Sequence, residues 1–254
     1  MRCGHPIIIK LKNTELLPRE DNMSRWEESR PERLNAMVAP WEKKINEFVA
    51  EIPGLIKNFS YRKGPDLYFY RKTMDLRRRK GLDELFEDNT DRFIELIYAT
   101  LVAWDMNSRG AKMKYFDDFK SNILANKDGF MQLSSSRLET LSGAKVGDVK
   151  MCLSQIYSNM HLMESAGKLV SNSKVMHFIL PDLVMPMDRQ NTLNFFFGNT
   201  NESGGYFLRI FGQSHEIAKK IDLRQFLDEE WNLSVPKVID NAIISKMSPK
   251  YNKL

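Results

Sequence analysis

The sequence predicts a mostly α-helical protein: a multi-helix bundle in two subdomains around a cleft, with a short extended segment at the N-terminus. Three observations carry that reading. Apolar residues recur at helical spacing along most of the chain, and strand-like alternation is scarce after residue 22. At 254 residues and 42% apolar content the chain can bury a large core, enough for two subdomains sharing a cleft. There is no internal repeat and no low-complexity tract.

Taken in order, His5 to Lys12 is rich in β-branched residues and reads as an extended segment, so residues 1–22 form an N-terminal extension and 23–254 the helical domain. Ser24 with Glu27 makes a capping box, and Pro31 interrupts or restarts that helix. Trp41, Ile45, Phe48 and Val49 share one helical face, which Ile52-Pro53-Gly54 is expected to stop. Gly64-Pro65-Asp66 marks a turn, and a polar, basic helix follows from Asp66 to Lys80. Asp91 to Trp104 is apolar nearly all round, the pattern of a buried central helix, and Asp105 to Gly110 ends it. Further helices are expected at Lys114–Leu124, Ser134–Glu139 and Lys145–Met163. Ser171-Asn172-Ser173 reads as a polar turn opening a short helix from Lys174 to Ile179, closed at Leu180-Pro181-Asp182. Pro186-Met187-Asp188 introduces Thr192–Phe197, and Phe207–Lys220, Leu223–Trp231 and Val238–Met247 complete the set.

Composition removes several functional classes. Cys3 and Cys152 are the only cysteines, too few for a disulfide framework or an all-cysteine iron–sulfur cluster. No apolar stretch reaches 18 residues, and Pro6 to Ile9 is too short for a signal-peptide core. The expectation is a protein that is neither membrane-bound nor secreted, cytoplasmic or in the nucleoid or nucleus. Cys152, His161 and His177 lack metal-site spacing, and no phosphate loop follows Gly204-Gly205, so neither metal nor cofactor is expected.

Two features carry chemistry. The first is the basic block Lys57 to Lys80, with a local charge of +7 against +5 for the whole chain. Within it Arg71, Lys72, Arg77, Arg78 and Arg79, interleaved with Tyr68, Phe69 and Tyr70, match what a phosphate backbone attracts. A solvated helix face explains the same charges. The second is the pair Lys174 and Asp188. A lysine at a helix N-terminus has its amine shifted toward the neutral, nucleophilic form. An aspartate at a helix start is an ordinary cap, and on local grounds that reading of Asp188 suffices.

This second feature resembles the helix-hairpin-helix DNA glycosylases. Val170-Ser171-Asn172-Ser173-Lys174-Val175 looks like the family's hairpin and its lysine, and Pro186-Met187-Asp188 like the segment bearing the aspartate. Phe93 to Trp104, followed by Met106-Asn107-Ser108, is similar to the apolar helix and polar turn upstream. The resemblance implies an enzyme that flips a damaged or mismatched base out of DNA. Lys174 would act as the Schiff-base nucleophile and Asp188 would stabilise the cationic sugar and move protons. It also implies DNA contacts from Ser171, Asn172 and Ser173 at the hairpin and from Asn107, Arg109 and Arg189 nearby. The alternative is an inactive α-helical module that binds nucleic acid or a protein partner.

Overall fold

The computed structural model describes residues 30–60, 63–107 and 112–251, and among these the protein is mostly α, as the periodicity predicts. The extension 1–22, the capping box at Ser24 and Glu27, and Arg62 and Arg109 lie outside the described residues. No described helix is long and apolar enough to cross a membrane.

The first helix, α1 (Arg30–Asn58), runs without a break through Pro31, Pro40 and Pro53. The expected stop at Pro53 is therefore wrong: one missing N–H near a helix end is outweighed by the burial of Phe48 and Ile52, 1% and 0% exposed. The described chain divides into two units at Glu47–Phe48, inside this helix. In the earlier unit Lys43 and Glu47 pair at 3.9 Å along the exposed helix surface.

The later unit holds the remaining helices: α2 (Pro65–Arg79), α3 (Leu82–Glu87), α4 (Thr90–Ala103), α5 (Phe116–Leu124), α6 (Lys127–Leu133), α7 (Gly143–Asn159), α8 (Leu169–Ile179), α9 (Asn194–Phe197), α10 (Tyr206–Lys220) and α11 (Val235–Met247). α2 starts on Pro65, whose missing N–H costs nothing in a first turn. It is basic outside, but Leu67, Tyr70, Thr73, Met74 and Leu76 form a buried face. That face packs on α4, where the hydroxyls of Thr73 and Thr100 share a hydrogen bond of 2.9 Å. α4 ends as Asp105 adopts a left-handed backbone, φ +63°, a conformation aspartate tolerates better than most residues.

Three expected boundaries move. Helix α6 occupies Lys127–Leu133 in place of Ser134–Glu139, and only a turn of 3₁₀ helix forms at Leu138–Thr140. Leu223–Phe226 is likewise a single 3₁₀ turn, because Asp222 and then Asp228 accept backbone N–H groups and hold the chain in turns. The turn expected at Ser171-Asn172-Ser173 is helix: all three lie in the first half of α8, 2%, 0% and 0% exposed. They are polar because Asn172 and Ser173 fasten buried backbone of other segments. The link between α7 and α8 is Met160–Lys168, pinned to the segment after α4 by an antiparallel bridge between Met113 and Met163.

Candidate functional site

Two features of α8 build the site. Ser173 Oγ accepts the backbone N–H of Met187 at 3.1 Å, and His177 Nδ1–H donates to the carbonyl of Val184 at 2.8 Å. Ser173 and His177 are one turn apart on the helix, so together they hold the returning segment Val184–Met187 against it. The residues that follow each end of the Ser173–Met187 bond are Lys174 and Asp188. Both line the same cavity, a cleft of about 600 Å³ walled also by Trp104, Arg189, Glu202 and Tyr251. A smaller chamber of about 210 Å³ adjoins it, and Trp104, Asp105, Lys174, Asp188, Asn191 and Tyr251 belong to both.

Lys174 Nζ lies 5.2 Å from the centre of the Trp104 ring and 3.6 Å from Met106 Sδ. It is the sixth residue of α8, not the first, so the helix N-terminus is too distant to favour its neutral form in the way the sequence implied. Asp188 does cap: its Oδ1 accepts the Asn191 backbone N–H at 2.6 Å and its Oδ2 the Asn191 side-chain amide at 2.9 Å. It opens a turn of π-helix, Arg189–Leu193, a distortion that tends to accompany functional sites. Asn191 Oδ1 in turn accepts the Ser248 hydroxyl at 2.7 Å, which ties the carboxylate to the end of α11. Capping and facing the cavity are thus properties of one side chain.

The sequence reading missed the floor of the chamber. Lys237 and Asp240 on α11 are each 4% exposed, with Nζ and Oδ2 2.5 Å apart. Lys237 Nζ sits 5.6 to 5.9 Å from the ring centres of Tyr70, Trp104 and Trp231, a cation enclosed by aromatic faces. Burial raises the Asp240 pKa, Lys237 opposes that shift, and Asp188 (raising) and Lys174 (lowering) act on it from across the site. Two lysines and two carboxylates therefore share one electrostatic environment. The signal was present in Val235 to Ile244, an apolar helix carrying a lysine and an aspartate at i and i+3.

A neutral polar layer backs the lysine. Tyr70 O–H donates to His177 Nε2 at 3.4 Å, and Tyr70 stacks on Trp231 at 5.7 Å and 14°. Burial pulls the His177 pKa down to about 3 and pushes Tyr70 well up, so both groups are uncharged at neutral pH.

The other expected contacts divide. Ser171 reaches the wall of the cleft, but its hydroxyl donates to Lys168 O at 3.3 Å. Asn172 donates from Nδ2 to the carbonyls of Tyr157 and Met160, both at 3.0 Å, and so locks α7 to α8. Burial corrects the expected DNA contact for Asn172 and Ser173, because neither is on a surface. The α8 N-terminus is met instead by Glu202, whose Oε2 accepts the Lys168 and Leu169 N–H groups at 3.1 and 3.2 Å. Asn107 Oδ1 accepts the Met113 N–H at 3.2 Å, which shapes its own loop. Arg189 lines the cleft and donates from Nε to Thr200 O at 2.7 Å.

Within the basic block, Arg77 donates from Nε to Ile179 O at 2.8 Å, and Arg78 donates to Leu233 O. These two arginines are tethers between elements. Arg71, Lys72 and Arg79 are exposed, and the first two line a separate shallow groove with Lys63 and Tyr68.

Among the described residues no group of three or more His, Cys, Asp or Glu side chains is arranged to hold a metal ion. Compared with known proteins, the chain matches no family model, no curated protein and no solved structure.

Proposed function

We propose that the protein is a DNA glycosylase with AP-lyase chemistry, acting on a base flipped out of the duplex. The observation that supports this most directly is that Lys174 and Asp188, fourteen residues apart, line one aromatic-walled cavity. An amine and a carboxylate beside flat aromatic walls are what base release requires. The neutral Lys174 amine attacks the sugar C1′, and the glycosidic C–N bond breaks with its electron pair leaving on the base. Asp188 stabilises the positive charge that develops on the sugar. It also accepts the proton that the attacking nitrogen sheds, which can pass to the departing base. Ring opening then gives a Schiff base between Lys174 Nζ and C1′. Loss of a C2′ proton expels the 3′ phosphate and returns the lysine on hydrolysis.

Borohydride reduction in the presence of DNA holding one abasic site tests this. The wild type is expected to form a covalent adduct and Lys174→Ala to form none. An undiminished adduct in that variant removes the lysine from the mechanism. A second reading is favoured by the Asp188–Asn191 contacts, which a purely structural cap would also make. It is a nucleic-acid-binding module without catalysis, which would bind DNA in a salt-dependent way and give neither adduct nor base release.

A further inference from the structure

One aromatic ring outside the cleft stands where a ligand can reach it. Tyr68 on α2 is 58% exposed. Its support is rigid: Leu67, Tyr70 and Met74 bury the inner face of α2, and Arg77 and Arg78 tether the helix to Ile179 O and Leu233 O. The Phe69 ring meets Tyr68 at 5.3 Å and 81°, and Lys72 Nζ lies 5.7 Å from the Tyr68 ring centre. A lone exposed tyrosine is ordinary, but this one lines a shallow groove of about 380 Å³ with Lys63, Leu67, Arg71, Lys72 and Asp75. Lys63 pairs with Glu230 at 2.5 Å, whereas Arg71 and Lys72 have no carboxylate partner among the described residues.

The groove borders the site already described. Lys63, Gly64 and Leu67 line the groove, while Asp66, between them in the chain, lines the smaller chamber with Lys174 and Asp188. The first turn of α2 is thus the partition between the two, and a strand that crosses it passes from Tyr68 to the chamber. In a double helix both faces of each base are covered by its neighbours, so a ring on the protein surface can stack only a base that is unpaired. The volume agrees: about 380 Å³ is at the low end of sites that enclose one small molecule, room for one nucleoside and not for a duplex. Cations beside the ring complement phosphates. An acidic peptide would satisfy those cations but offer nothing flat to the ring.

We infer that this groove is a subsite for an unpaired stretch of the DNA strand, in which one base stacks on Tyr68 while Arg71 and Lys72 neutralise the phosphates beside it. This rests on the reading that Lys174 and Asp188 act on DNA. It narrows the substrate from any duplex to one opened beside the flipped base, or to a single strand. Tyr68 is then a substrate-binding residue with no part in breaking the glycosidic bond.

The test uses the full chain and fluorescent DNA of one sequence in three states: a single strand, the same strand fully paired, and the same duplex with a mispaired run. Adduct formation under borohydride is followed in parallel on single and paired strands carrying one abasic site. The wild type is expected to bind the single strand and the opened duplex about fivefold or more tighter than the closed duplex, the scale of one stacked base. Tyr68→Ala is expected to lose about fivefold or more on the two open probes and nothing on the closed duplex, and Tyr68→Phe, which keeps the ring, to stay within about twofold of the wild type. Equal binding of open and closed probes by the wild type overturns the inference, as does a folded Tyr68→Ala that binds the single strand as the wild type does. Displacement of the single strand by polyglutamate of matched charge also overturns it, since charge alone then suffices. Adduct formation at equal rates on single and paired strands, alike in wild type and Tyr68→Ala, removes the groove and leaves Lys174 in place. Tyr68-dependent binding of the open probes without any adduct keeps the groove and brings down the lysine chemistry.

Discussion

At the scale of single residues, Asp188 caps a helix and lines the cleft, and a pair of substitutions separates the cap from the proposed catalytic role. Asparagine caps a helix about as well as aspartate, whereas alanine does not cap. Asp188→Asn is expected to stay within about 0.5 kcal/mol of the wild type in urea unfolding, and Asp188→Ala to lose about 1 kcal/mol. Both should slow adduct formation on abasic DNA by on the order of 100-fold, since each removes the charge. A fast Asp188→Asn enzyme would reduce Asp188 to its structural duty. His177 gives a pH signature. Its pKa is about 3 in the fold against 6.5 for the free side chain, so the unfolded chain binds the extra proton first. The stability it secures is fully present above about pH 6.5 and is lost as pH falls, at a slope approaching ~1.4 kcal/mol per unit. Asp240, with its raised pKa, acts in the opposite sense at lower pH. Urea midpoints of wild type and His177→Gln at pH 7, 6 and 5 isolate the histidine: the difference between the two proteins should shrink toward acid.

At the scale of elements, the basic helix α2 is two populations. Arg77 donates to the last carbonyl of α8, and replacing it with methionine should cost about 1–3 kcal/mol by leaving that carbonyl unpaired. Arg71, Lys72 and Arg79 are exposed, and their conversion to glutamine should leave stability within about 0.5 kcal/mol. The same changes should lower the slope of log affinity for DNA against log salt by nearly one for each phosphate no longer neutralised. Unchanged salt slopes would mean that this face does not meet DNA. The helices themselves were legible: α4, α5, α10 and α11 match their apolar periodicity to within a few residues. Less was legible where polar side chains serve buried backbone. Ser171, Asn172 and Ser173 have the composition of a turn, and only the carbonyls of Tyr157 and Met160, distant in sequence, make a buried helix of them. Lys174 and Asp188 could be singled out from local pattern, while their meeting in one cavity depends on the Ser173–Met187 bond. Lys237 and Asp240 were visible as charges in an apolar helix, but the three aromatic rings around Lys237 come from α2, the end of α4 and the turns before α11.

At the scale of the whole molecule, the net +5 is a poor guide to where charge acts, because the cleft mixes signs: Lys174, Arg189 and Lys250 face it together with Asp105, Asp188 and Glu202. On the proposed function, attraction to DNA would belong to the exposed basic face and chemistry to the balanced interior. The segments that shape the entrance are already fastened, Lys112–Lys114 to Leu162–Glu164 by paired backbone and Thr200 to Arg189. In these described segments little ordering is left for a ligand to impose. The buried Lys237–Asp240 pair has a consequence for evolvability. A well-packed apolar pair is commonly more stable than a buried ion pair by about 1–4 kcal/mol, so the double variant Lys237→Met with Asp240→Leu should melt at a higher temperature than the wild type. Each single variant should melt lower, having stranded a charge. Selection for heat resistance alone would erase this pair, so its retention in a thermally adapted lineage would measure how strongly the chamber's chemistry is being held against that pressure.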